Sequence, residues 1–405
     1  MNNLYHEMLT RSLKNLGTFS TSYMEQEARE IFANYAPING IDTNAYPELE
    51  KFSNVCENFI LELSKSKNKN EFQTLATTCS SEAILLGMYF LKQYWQRSSL
   101  LSGSIPNIII SNHSHISWQK AAEFLNIKIK LLPISQKTLT MDTNLLTNII
   151  DQNTIAICCT LGSPTTLCFD DITKVNKILE YYHQQHNQYI PIHVDAASGG
   201  FIAPFIYPKF KWGFNLSHVY SINISSHKYG LIYPSLGWIL LRKIICPDTY
   251  AAKQDYLGKI IYTYGIRFSH TAAHLATQYH YIQTKGFIWY QNIFNKLFTL
   301  AKTLEYYLSQ ISEIIILSPK NKEQLPGLVF TLNTLNFNLH DLIDKLKQKG
   351  WILPIYQLPS KNKIIVTRIV LRYGMTEQTI ESFITDLKKI IAILNHHNKK
   401  SFTIN

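Results

Sequence analysis

Two apolar runs that each stop at a residue able to do chemistry constrain this chain most. Tyr189–Val194 ends at Asp195, and Val219–Ile224 ends at Ser225-Ser226-His227-Lys228. Each run reads as a buried strand. In a parallel α/β sheet, ligands bind outside the carboxyl ends of the strands. An aspartate and a lysine at two such ends therefore open on one crevice.

The surrounding pattern extends that sheet. Asn107–Ser111, Ile127–Ile134 and Thr154–Gly162 read as further strands. Strand–helix–strand alternation across 107–242 predicts an α/β fold, a mostly parallel sheet with helices on both faces. Ser80-Ser81-Glu82 opens a helix whose apolar positions recur at 83, 86, 87, 90, 91 and 94. Met24–Tyr35 and Asp142–Ile150 also read as helices. From about 306 the pattern changes. Glu313–Leu317, Gly327–Leu332 and Lys363–Arg372 read as strands, Leu339–Lys349 and Glu377–Leu394 as helices, which predicts a smaller C-terminal α+β domain. The expected division is an N-terminal segment over 1–45, a large domain over 46–305 and a small domain over 306–405.

Composition excludes several classes. With 46% hydrophobic and 17% charged residues, the chain reads as globular. No run of apolar residues is long enough for a membrane span, and the N-terminus lacks an apolar signal core. The six cysteines show no CxxC pair, so they are expected to be reduced, as in the cytoplasm. Cys158, Cys159 and Cys168 lack the further ligands a zinc site needs, and His270 and His274 lack a third, so no metal is expected. The net charge of +11 comes from scattered lysines without aromatic interleaving. That is a solvated surface, with no nucleic-acid or membrane partner.

A carboxylate and a lysine at two such strand ends suit pyridoxal phosphate. The lysine amine bonds to the cofactor aldehyde, and the carboxylate keeps the ring nitrogen protonated so that the ring can accept electrons. Serines at a helix start are N-caps or an anion site. Arg368, inside the apolar run IIVTRIVLRYG, needs a partner, and its planar fork suits a carboxylate. His193 either orients Asp195 or is a satisfied core histidine. His113 reads as a surface or capping residue.

The blocks HVDAASGGFIAPF (193–205) and SSHKYG (225–230), followed by Gly237-Trp238, resemble the glutamate decarboxylase branch of the pyridoxal-phosphate-dependent group II decarboxylases. The resemblance runs from about Ser12 to Leu394. It implies the fold type I architecture of the PLP-dependent transferases. It makes Lys228 the Schiff-base lysine, Asp195 the partner of the ring nitrogen, and Ala197 a small residue against the ring. Ser80 and Ser81 would hold the phosphate, with Cys79 standing where the family usually has glycine. Ser225 and His227 would also contact phosphate, and Ser269 would reach the neighbouring subunit's phosphate across a homodimer whose active sites lie at the interface. His115 would stack on the ring and take part in proton transfer. Tyr256, in D-Y-L-G, would protonate the carbanion. Thr18, Phe19 and Asp42 would contact the substrate side chain, and Arg368 its α-carboxylate, with Arg372 structural. The implied reaction is α-decarboxylation of L-glutamate to 4-aminobutyrate. His115, and Pro164 where the family's threonine-rich loop has a hydroxyl, favour an alternative: another L-amino acid, such as an aromatic one. A catalytically silent relative is the other reading.

Overall fold

The computed structural model describes residues 12, 14–66, 68–98, 104–247, 251–254, 260–360 and 362–401. Seven strands form one sheet: β1 (Phe72–Thr77), β2 (Asn107–Ser111), β3 (Lys128–Leu132), β4 (Thr154–Thr160), β5 (Ile192–Asp195), β6 (Val219–Ser225) and β7 (Gly237–Arg242). Their order is β1-β7-β6-β5-β4-β2-β3. Pairing is parallel from β3 through β6, and β7 runs antiparallel to both β6 and β1. The carboxyl ends of β1, β2, β4, β5 and β6 therefore share one edge.

Side chains alternate across a strand, and here each side meets its own core. Ile109, Ile157, Val194, Ile222 and Leu240 pack into one core, while Ile108, Ile110, Ala156, Cys158 and Ile239 pack into the other. A sheet covered on both faces needs continuous apolar strands, which is why β4 and β5 are buried at every position. The helices before the small domain are α1 (Gln26–Tyr35), α2 (Glu48–Leu63), α3 (Ser80–Ser98), α4 (Ser117–Phe124), α5 (Ile172–His186), α6 (Ala203–Ile206), α7 (Ala273–His280) and α8 (Gly286–Ser309). Helix α3 lies on the second core, and its first turn is tied down by Glu82, which accepts from the backbone N–H and hydroxyl of Thr78 at 2.7 and 2.8 Å. Over Asp142–Ile150 the predicted helix is a 3-10 turn, Thr143–Asn148. Only Thr143 and Leu146 are buried there, too narrow a stripe to hold an α-helix.

A two-stranded ribbon, β8 (Ala252–Gln254) with β9 (Ile261–Thr263), follows the large sheet. The smaller sheet has the antiparallel order β10-β11-β13-β12. It comprises β10 (Ile314–Ile316), β11 (Gly327–Leu332), β12 (Ile355–Gln357) and β13 (Ile365–Val370), with helices α9 (Leu339–Gln348) and α10 (Glu377–Ser401). Among the described residues, no helix is long and apolar enough to cross a membrane.

The N-terminal segment joins the two sheets. Leu16 donates to Ile352 O at 2.9 Å and accepts from Val370 N at 2.7 Å. Thr21 then bonds to the carbonyls of His227 and Lys228, both at 2.7 Å. Arg372, only 3% exposed, donates to the carbonyls of Ser12, Asn15 and Ser20 and to the Ser22 hydroxyl. Its role is structural: one guanidinium holds the segment's course.

The Asp195–Gly200 turn tolerates no added bulk. Gly199 N–H donates to Leu161 O at 2.9 Å, and a Cβ on Gly199 would stand 2.4 Å from that oxygen. Gly199→Ala should cost about 1–3 kcal/mol, the range of overpacking. The check is a lowered unfolding midpoint in thermal melts.

Candidate active site

The strand ends open on a cavity of about 140 Å³, lined by Ser80, Ser81, His115, Asp195, Ala197, Ser225, His227 and Lys228. All eight were singled out from the sequence. Lys228 sits in the turn after β6, and its Nζ donates to Ser198 Oγ at 3.2 Å. The Phe19 ring centre lies 5.6 Å from Nζ. Burial holds the Lys228 amine below its ordinary pKa; the nearby Asp195 charge opposes this, and Arg368 adds to it.

Asp195 ends β5 and is 5% exposed. Its Oδ1 accepts from Asn223 Nδ2 at 2.8 Å and from the Ala197 N–H at 3.2 Å. Its Oδ2 accepts from Trp118 Nε1 at 3.2 Å. His193 also acts here. Its Nε2 lies 2.7 Å from Asn223 Oδ1 and its Nδ1 2.7 Å from Ser221 Oγ. It is both a satisfied core histidine and the support of the residue that holds Asp195.

The first turn of α3 also reaches the cavity, through Ser80 and Ser81. The free N–H groups at the start of α3 and its dipole point outward there. Ser80 Oγ meets Ser225 Oγ at 2.7 Å, and Ser81 Oγ meets Ser117 Oγ at 2.6 Å. Ser117 Oγ lies 2.8 Å from His115 Nδ1, which also accepts the Ser117 N–H at 3.2 Å. His115 is thereby held with its proton on Nε2, and burial lowers its pKa. Cys79 lines this end and is the one cysteine of six that is not fully buried. An enclosed amine, a carboxylate met only by donors and an anion end in one cavity fit pyridoxal phosphate.

Arg368, in β13, does not line the cavity, and neither does Phe19, the ring that Lys228 and Arg368 both approach. Arg368 donates to Gly17 O at 3.1 Å, and its Cζ lies 4.9 Å from the Phe19 ring centre and 5.4 Å from that of Tyr356. Its buried Nε has no hydrogen-bond partner among the described residues. Thr18 Oγ1 accepts from Ser20 N at 3.2 Å in the same segment. Gly162 and Pro164 line the cavity, while Thr165 turns to Ser163 Oγ at 3.1 Å. Asp42 caps its own turn through Ala45 N, and Ser269 is exposed; the chain's own cavity is lined by neither. Tyr256 lies outside the described residues.

The structure corrects the reading of His113. It is 1% exposed and lies 3.4 Å from Asp170, whose carboxylate also accepts the Met141 and Thr160 N–H groups at 2.8 Å. Burial would raise the Asp170 pKa, but His113 and those N–H groups outweigh it and hold the carboxyl low. Sequence reasoning missed Trp118, Asn223, Ser198, Ser117 and Tyr356. Asn223 carried a signal. It alternates with isoleucines in SINI, and a polar side chain buried at that period needs a partner.

The model of the pyridoxal-dependent decarboxylase conserved domain matches residues 18–333. The chain belongs to the pyridoxal-dependent decarboxylase family. It is similar to glutamate decarboxylase beta of Listeria monocytogenes, with 34% identity across 95% of this chain and 84% of the relative. It is also similar to a glutamate decarboxylase of Lactococcus lactis, with 33% identity across 94% and 84%. The solved glutamate decarboxylase of Lactobacillus brevis superposes with a TM-score of 0.91 at 32% identity, covering 97% of this chain and 92% of that one. Pyridoxal phosphate is thus the cofactor of this family member, and the fold is that of the family.

His227 adds to the pH dependence of stability. It donates through Nδ1 to Leu236 O at 3.0 Å, and its pKa is pushed down from 6.5 to about 4, by burial foremost and then by Lys228. The folded chain refuses a proton that the unfolded chain accepts. This contribution is complete above 6.5 and is lost as pH falls towards 4. His227→Gln should lessen, without abolishing, the fall in melting temperature across that window. An unchanged acid limb would show that His227 titrates normally.

Proposed function

We propose that this chain decarboxylates L-glutamate at Cα, giving 4-aminobutyrate and CO₂ with net uptake of a proton. The observation that carries the reading is one cavity holding Lys228 and Asp195, with the Phe19 ring close to both Lys228 and Arg368. The similarity to glutamate decarboxylases over nearly the whole chain supports glutamate as substrate.

Bound pyridoxal phosphate supplies an electron sink for the electrons of the broken Cα–carboxylate bond. Each residue then has a task. Lys228 would hold the cofactor aldehyde carbon, and its lowered pKa keeps a share of the amine neutral and nucleophilic. Asp195 would hold a proton on the ring nitrogen. The serines and N–H groups at the start of α3, with Ser225 and His227, would bind the phosphate. Ala197 leaves room for the ring, and His115 would cover its other face as a neutral imidazole. Arg368 would pair with the substrate α-carboxylate and set the angle at which CO₂ leaves. Phe19 walls off water, and Thr18 and Asp42 would face the substrate side chain. Tyr256 would return the proton to Cα.

Asp42 and Ser269 do not line their own chain's cavity, which supports a homodimer in which each copy completes the other's site. Six free cysteines, five of them buried, support a cytoplasmic location. The domain division proposed is 1–45, 46–305 and 306–405, with the N-terminal segment as part of the substrate pocket.

The test is CO₂ release by protein loaded with pyridoxal phosphate, across a panel of L-amino acids. Glutamate turnover is expected, abolished in Lys228→Ala. Arg368→Ala should lower kcat/KM by about 100-fold, as loss of a substrate clamp does. His115 facing the cavity favours a second reading. Turnover of an aromatic amino acid in place of glutamate would overturn the first and give His115 and Pro164 the deciding role. A yellow protein with no turnover would mark a silent relative.

A further inference from the structure

We propose that His193 and Asn223 are positioning residues that hold Asp195 aimed into the cavity, and that Gly87 of α3 is small so that His193 can hold this place. The inference rests on the reading of Asp195 as the partner of the cofactor ring nitrogen.

Asp195, as a carboxylate, only accepts, so Asn223 must turn its Nδ2 towards it. That leaves Asn223 Oδ1 facing His193 Nε2, which must then carry the proton. His193 Nδ1 is left to accept, and Ser221 supplies the hydroxyl hydrogen. Ser221, His193, Asn223 and Asp195 thus form one chain of hydrogen bonds, each donor pointing towards the carboxylate. Such a chain polarises in one sense and strengthens its last bond. A reversed amide would set a carbonyl oxygen against a carboxylate, so the carboxylate fixes the amide and, through it, the tautomer of His193.

His193 is itself fixed from two sides. The Trp118 ring meets it edge-on, with centroids 5.0 Å apart and planes at 84°. Trp118 also donates to Asp195, so its ring braces both His193 and the carboxylate. From the other side comes Gly87, in the middle of α3. A Cβ there would stand 2.8 Å from His193 Cε1 and 2.9 Å from Nδ1. Glycine inside a helix costs about 1 kcal/mol against alanine. At this position the close approach of the imidazole requires it.

A purely structural cluster would affect stability alone, so cofactor binding decides. Purified protein and variants are titrated with pyridoxal phosphate, reading the apparent Kd, the pH at which the visible absorption of the bound cofactor changes, and the melting temperature without cofactor. His193→Leu should weaken binding roughly 10–100-fold, as loss of a ligand's outer support does. It should also move the absorption change to lower pH, because a less well-held carboxylate retains the ring proton less firmly. His193→Gln, which can still donate to Asn223, should recover most of both. Gly87→Ala touches no cavity residue and guards against a His193→Leu protein that fails to fold. Helix propensity alone predicts a more stable protein with unchanged affinity; the proposal predicts weaker affinity. Variants that melt lower yet bind with the parent's Kd and absorption would overturn it. A parent that does not bind pyridoxal phosphate would instead overturn the functional reading.

Discussion

A carboxylate taken almost wholly out of water is the constraint on which the rest of this site depends. Burying one ion costs several kcal/mol even after relaxation. Asp195 meets that cost with three neutral donors from three elements: Trp118 of α4, Asn223 of β6 and the Ala197 N–H just past β5. Hydrogen bonds to a charged group contribute about 1.5–3 kcal/mol each. None of the three brings a positive charge, so the carboxylate stays available to a cation in the cavity. The sheet order follows from this need. Asp195 and Asn223 are register partners on β5 and β6, and a shift of one residue would turn Asn223 away.

Much of this could be read in the chain. The buried strands show as continuous apolar runs because both faces of the sheet are covered. Lys228 and Asp195 show because polar residues that end such runs have one place to go. Arg368 shows because an arginine in an apolar strand needs a partner. What stayed hidden depends on distance in space. Trp118 reads as an ordinary apolar helix residue, and nothing local says that its indole N–H ends on an aspartate of another strand. His113 looks like a loop histidine until Asp170, far along the chain, is folded against it. The Thr143–Asn148 turn shows the limit of periodicity: a short polar stretch fits a helical pattern, but too few side chains find a core.

The N-terminal segment gives the two sheets a common member. It pairs with β13 through Leu16 and with the Lys228 turn through Thr21. Phe19 lies between those anchors in the chain, and its ring is approached by both Lys228 and Arg368, at 5.6 and 4.9 Å from its centre. Phe19 thus brings together a lysine of the large sheet's turn and an arginine of the small sheet, two residues distant in sequence.

Helix α3 bears on both ends of the cavity at once. Its first turn offers the serines and N–H groups of the anion end, and Gly87, two turns on, rests against the imidazole behind Asp195. A helix is stiff over that length, so it works as a lever with the cavity between its two points of contact. Anything that seats an anion at the first turn also presses or relaxes the support of the carboxylate. The two halves of the cavity therefore cannot be tuned separately, and exchanging the anion-binding turn for another sequence would carry a change into the ring-binding half.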